Sequence, residues 1–262
     1  MASESERFVF QCGSPVRTKI FLLEPQAIRQ QPAASMLISS NPAFLFIHID
    51  KAAGTSIQRA LQPFAPLRAD SRWRRRLIWL GGLNRILGTH RTLEFPEHVQ
   101  AQTVKNCLPS DEFTRLFKFA FVRNPWDRLV SRYAYLLRNT EHPRHEFVKK
   151  LKGFEAYLAW EIARGKMHQH TYVCGAGGEW VVDFVGYYER LPEDFGRACD
   201  RLKVTAELPK ANASSHRDYR SYYTPETREL VAKNFARDLE LFRYEFDGLP
   251  AGAAPLGLAA AK

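Results

Sequence analysis

Apolar residues run almost unbroken from Ala43 to Ile49, a stretch too short for a helix and rich in β-branched and aromatic side chains. That pattern predicts a buried strand. Small and polar residues follow, Asp50-Lys51-Ala52-Ala53-Gly54-Thr55-Ser56, and an amphipathic stretch begins at Ile57. A second apolar run, Phe117 to Val122, leads into Arg123-Asn124-Pro125-Trp126-Asp127. There Asn124 suits an N-cap, Pro125 the first helical position and Asp127 the first turn. Leu129, Val130, Tyr133, Leu136 and Leu137 give this helix its apolar side, while Trp126 and Phe121 read as core residues. Trp180 to Tyr188 predicts a third strand. Further helices are predicted over Glu97–Leu108, His145–Arg164 and Pro192–Leu202, and from the Thr224-Pro225 cap to about Phe242. Residues 1–36 form an extension with short strand candidates at Phe8–Phe10 and Ile20–Leu23. The main domain spans 37–248, and the Ala/Gly-rich tail 249–262 is predicted to be disordered.

Two strand-to-helix junctions, each with a cation and hydroxyls, suit a ligand carrying two separate anionic groups. At the first, helix-start amides, Lys51, Thr55 and Ser56 form a cradle for phosphate or sulfate. At the second, Arg123 offers a planar fork, and Ser131 lies about two turns beyond the cap on the same helix face. A nucleoside-triphosphate loop of the form GxxxxGK[ST] does not fit, because the lysine precedes the glycine and no first glycine exists. A kinase or NTPase reading is thereby disfavoured.

Composition adds a sign to this picture. The chain carries 38 Lys+Arg against 28 Asp+Glu, a formal charge of +10, which favours acidic ligands in general. Much of the excess lies in Arg68 to Arg91, where seven arginines interleave with Trp73, Leu77, Ile78 and Leu80 against the single acid Asp70. Such a stretch suits an acidic acceptor, peripheral contact with an anionic membrane, or simply a solvated helix face. No nucleic-acid module is present. The four cysteines form no CxxC pair, so neither a zinc ribbon nor a disulfide framework is expected. The start of the chain lacks a signal-peptide pattern and no run is long enough for a membrane span, which predicts a cytoplasmic protein.

FLFIHIDKAAGTSI resembles the 5′-phosphosulfate loop, and FKFAFVRNPWDRLVSRY the 3′-phosphate motif, of carbohydrate sulfotransferases of the chondroitin and heparan sulfate 2-O type and their bacterial relatives. YYERLPEDFGRACDRL and the block from Leu208 to Phe246 resemble later segments of the same family, so the likeness covers roughly Leu37 to Phe246. It implies an α/β, P-loop-like three-layer fold with a central, mainly parallel sheet flanked by helices. It also implies 3′-phosphoadenosine 5′-phosphosulfate (PAPS) as donor, its product PAP, a carbohydrate or glycan acceptor, and no metal. Lys51, Ala53, Gly54, Thr55 and Ser56 would surround the 5′-phosphosulfate, with Lys51 stabilising the leaving oxygen. Arg123 and Ser131 would bind the 3′-phosphate. In the C-terminal block Lys210, Asn212, Ser214, Tyr219 and Arg220 would close over the donor. Gln169 and Tyr172 resemble a stretch near the acceptor cleft.

The resemblance needs a general base, and histidine suits near-neutral pH. His98, where the family has a histidine opening the helix before the second strand, comes first; His90 is the alternative. His48 alternates with Ile47 and Ile49 and is expected to orient the loop. Asp50 stands where the family has proline. Either its carboxylate faces the donor and weakens catalysis, leaving a PAP-, PAPS- or glycan-binding protein, or it turns away and caps the following turn.

Overall fold

The computed structural model describes residues 10–11, 14–15, 36–65, 95–209 and 216–257. Besides a short antiparallel pair, β1 (Phe10–Gln11) and β2 (Ser14–Pro15), it contains one central sheet. Its strands are β3 (Leu37–Ser40), β4 (Ala43–Ile47), β5 (Phe117–Val122) and β6 (Phe184–Tyr187), in that spatial order. β3 and β4 pair antiparallel, while β4–β5 and β5–β6 are parallel, with Phe44 opposite Phe117 and Phe119 opposite Phe184. The carboxyl ends of β4, β5 and β6 therefore emerge side by side.

Alternation along the strands sorts the core by shape. Phe44, Phe46, Phe119, Phe121 and Phe184 face one way, against Ile57 and Leu61 of α1 (Gly54–Leu61) and Phe195 and Ala198 of the helix Leu191–Leu202. Leu45, Ile47, Ala120, Val122, Val185 and Tyr187 face the other way, against Ala101 and Val104 of α2 (Ala101–Cys107) and against Phe242. Helix, sheet and helix make three layers. Each phenylalanine so buried contributes roughly 2–3 kcal/mol. Within β5, Lys118 is also buried, its ammonium neutralised by Asp183 at 2.8 Å.

After α3 (Ser110–Arg115) and β5 comes α4 (Pro125–Arg138). Asn124 caps α4 as expected, its side chain accepting from the Trp126 N–H at 3.0 Å. Several boundaries differ from the sequence expectation. The helix expected from Glu97 starts only at Ala101, so His98 lies in the irregular segment before it. The helix expected over His145–Arg164 is two, α5 (His145–Lys150) and α6 (Gly153–Ala163), because Leu151 is extended and Gly153 takes φ 89°, where a side chain would be strained. A short α7 (His170–Val173) follows, then β6 and α8 (Leu191–Leu202). The last helix is broken at Phe235 into α9 (Pro225–Asn234) and α10 (Ala236–Phe242). The third strand is shorter than expected, with Trp180 bridging Cys174 instead. Part of the tail is ordered: Leu256 makes two backbone hydrogen bonds with Val185, at 2.9 and 3.1 Å, so the disorder expected from residue 249 does not hold there. No helix among the described residues is long and apolar enough to cross a membrane.

Candidate active site at the strand ends

The loop between β4 and α1 is built around a tight backbone. Lys51 and Ala53 both adopt the left-handed conformation, φ 65° and 64°, at a cost of about 1–2 kcal/mol each for residues with a side chain. Ala53 then starts α1, its carbonyl accepting from the Ser56 and Ile57 amides. Gly54 sits directly on the His48 ring: a Cβ there would lie 1.8 Å from its Cδ2. His48 is buried, with Nδ1 2.9 Å from Glu97 Oε1, and so props the loop from below, the orienting role expected for it. Gly54→Ala is expected to displace that ring, lowering stability by about 1–3 kcal/mol, the usual cost of overpacking; urea denaturation measures it.

Arg123 joins the two junctions. Its Nη1 donates to the Lys51 carbonyl at 3.2 Å and to Ser131 Oγ at 3.0 Å. Its Nε donates to Asp127 at 2.7 Å, and its guanidinium lies over the Tyr188 ring, 4.0 Å from the centroid. Arg123 and Ser131 are thus brought together as their spacing predicts, both buried. The Arg123 backbone is fixed from the other side by Gln169, which accepts from its N–H at 2.9 Å and donates to its carbonyl at 2.8 Å. Three strand ends meet here: Lys51 follows β4, Arg123 follows β5 and Tyr188 follows β6.

The Lys51 ammonium rests on the Tyr135 ring, 4.0 Å from its centroid. Burial pushes its pKa down and Asp50 pulls it back, leaving it at about 8. Asp50 turns neither onto the ligand cradle nor into a cap. Its Oδ2 lies 2.5 Å from Arg132 Nη1, and its carbonyl accepts from Arg128 Nε at 2.7 Å. Burial pushes the carboxyl up, but Arg132, Arg128 and Lys51 more than offset this, and it stays below the usual carboxylate range. The aspartate is therefore matched by an arginine pair one turn apart on α4, which offsets its negative charge.

Asp50 opens onto a cavity of about 340 Å³ whose lining includes His98 and Tyr172. Five cationic side chains line it (Arg128, Arg132, Arg144, Arg164 and Lys166), against the carboxylates of Asp50 and Glu161. His98 Nδ1 is 3.2 Å from the His48 carbonyl. A carbonyl only accepts, so this nitrogen is the donor in that contact, while Nε2 lies 3.9 Å from Glu97 Oε2.

The model of the Sulfotransferase family matches residues 34–245. The chain belongs to that family. A protein of Archaeoglobus fulgidus described only as uncharacterized is 29% identical over 121 residues, which make up 46% of this chain and 96% of its own. Among solved structures, the mouse sulfotransferase SULT7A1 complexed with PAP has a TM-score of 0.46 at 14% identity, covering 74% of this chain and 83% of that one. A sulfotransferase of Alicyclobacillus acidocaldarius has a TM-score of 0.35 at 16% identity, covering 77% and 96%.

The remaining residues of this sulfotransferase-family chain divide as follows. Thr55 is exposed and Ser56 half-buried in the first turn of α1, whose Ser56 amide is already bonded to the Ala53 carbonyl, while the amides before it precede any intrahelical acceptor. Tyr219 donates its hydroxyl to the Phe246 carbonyl and packs edge-on against that ring. Arg220 pairs with Asp218 and Asp247 on the surface. Lys210, Asn212, Ser214, His90 and the basic stretch Arg68 to Arg91 lie outside the described residues. Arg128 and Arg132 carried no expected role, and Gln169, expected near the acceptor cleft, holds Arg123 from beneath, fully buried. The i, i+4 spacing of the two arginines was the available signal.

Proposed function

We propose that the chain transfers the sulfuryl group of PAPS to a hydroxyl of an anionic carbohydrate. The observation that carries this reading is the Arg123 guanidinium, within hydrogen-bonding distance of both the Lys51 carbonyl and Ser131 Oγ. One residue thereby sets the spacing between a cradle for the donor's 5′ end and a site for its 3′-phosphate. The first amides of α1, with Thr55 and Ser56, hold the phosphosulfate. Arg123 and Ser131 hold the 3′-phosphate, which a donor such as ATP lacks.

The cationic cavity takes the acceptor, with Arg132 and its neighbours binding a carboxylate or sulfate on the sugar. His98 Nε2 accepts the proton of the acceptor hydroxyl as its oxygen bonds to sulfur. The bond from sulfur to the bridging oxygen breaks, and the electron pair stays on that oxygen, where the Lys51 ammonium neutralises the growing charge.

PAP is expected to raise the melting temperature well beyond AMP at the same concentration, since binding to the native state alone stabilises by RT ln(1 + [L]/Kd). At 100 Kd the gain is about 2.7 kcal/mol, or roughly 5–10 °C for a chain of this size. Equal shifts with PAP, AMP and ATP would remove the 3′-phosphate site.

A further inference from the structure

On the side of Gln169 away from Arg123 lies a group of side chains that sulfuryl transfer does not use. We propose that His168, His170 and Asp238 form a divalent-metal site, best suited to zinc, that clamps segment 167–170 onto α10. One potential ligand atom from each of the three lies within 4.8 Å of the others. Two imidazoles and one carboxylate make a borderline N,N,O set of the kind that zinc accepts with water in the fourth position.

The carboxylate is held in place before any ion arrives. Asp238 is fully buried on α10, and its Oδ2 accepts from the Gln169 N–H at 2.7 Å while Oδ1 accepts from the His170 N–H at 2.9 Å. A buried carboxylate needs a positive partner. The buried Arg128 guanidinium acts on it as a positive charge, and the His170 ring lies against it, with Nδ1 2.5 Å from Oδ1. The His168 ring packs against Phe235, centroids 4.9 Å apart, which fixes its position without using a ring nitrogen. Both histidines are half-buried rather than sealed, so an ion and a water can reach them.

Ligand atoms around tetrahedral zinc stand about 3.3 Å apart for bonds near 2.0 Å. Closing the site therefore takes ring rotations that move atoms by about 1 Å. Gln169 lies between the two histidines and grips the Arg123 backbone in both directions. A bound ion would stiffen the support of Arg123 from a distance, as a structural clamp that takes no part in the chemistry. The site rests on its own geometry and stands whether or not PAPS is the donor.

The test uses the full chain, free of any histidine tag and stripped with EDTA, titrated with Co²⁺ as a coloured probe and with Zn²⁺. Expected are uptake of one equivalent, a visible Co²⁺ spectrum of low coordination number, and a rise in melting temperature that Mg²⁺ does not produce. His168→Ala and His170→Ala should each abolish both signals, with His168→Gln in reserve should a smaller side chain upset the Phe235 contact; circular dichroism reports whether each variant is folded. Failure of the wild-type chain to take up one equivalent of either ion would overturn the site. So would uptake that survives in folded His168 and His170 variants.

Discussion

Lys51→Ala is expected to lower kcat by about 10²–10³-fold, the usual cost of removing one group that meets charge developing in the transition state. The fold should hardly notice. The ammonium rests on the face of Tyr135, a contact worth about 1 kcal/mol at a partly exposed site, so urea midpoints should nearly coincide. The same residue sets a pH limb. With a pKa of about 8 in the free protein, Lys51 loses its proton as pH rises through that value, and kcat/KM for the donor should fall with it. A bound anionic donor favours the charged form and moves the limb upward in kcat. The Lys51→Ala protein should lack the limb entirely. Transfer of labelled sulfate from PAPS to an acidic saccharide measures all of this. A variant within threefold of wild type would end the assignment.

Arg123→Ala should strike binding and stability together. It removes the fork from the proposed 3′-phosphate site and leaves Asp127, largely buried, with His216 at 3.6 Å as its remaining ion-pair partner among the described residues. Breaking a buried charge pair from one side costs about 3–5 kcal/mol, and the left-handed Lys51 loses the donor to its carbonyl. PAP affinity is expected to fall at least 100-fold, since a charge-assisted bidentate contact of about 3 kcal/mol disappears. Arg123→Lys separates the two effects. It keeps the charge near Asp127, so most of the stability returns, while the planar fork and the stacking on Tyr188 are lost. The preference for PAP over AMP should then remain small. Calorimetric titration with both nucleotides decides, and an Arg123→Lys protein with the full wild-type preference would show that the fork does not read the 3′-phosphate.

The parts of this site legible in sequence are those written in local code. Apolar runs that end in small residues or in Asn-Pro announce strand-to-helix junctions, and two helical turns place Ser131 beside Arg123. What escaped depends on contacts between distant positions. Asp50 left two readings open because its partners, Arg128 and Arg132, come 78 and 82 residues later. Gln169 reaches Arg123 across 46 residues, and Asp238 reaches Gln169 across 69. No periodicity encodes such pairings. The helix breaks at Gly153 and Phe235 escaped for a related reason: an apolar face continues through both, while the backbone direction does not. Tyr219, which the resemblance places over the donor, also reaches the Phe246 carbonyl, 27 residues on.

The bridge between Leu256 and Val185 has a further consequence. Among the described residues β6 is the last strand of its sheet, and an outermost strand offers a row of unsatisfied amides and carbonyls to any neighbouring chain. By pairing with Val185, the segment after Pro250 occupies part of that row, and Arg190 anchors it by donating to the Ala253 carbonyl. That leaves fewer free backbone groups at the edge farthest from the antiparallel β3–β4 pair for a strand of another molecule to join.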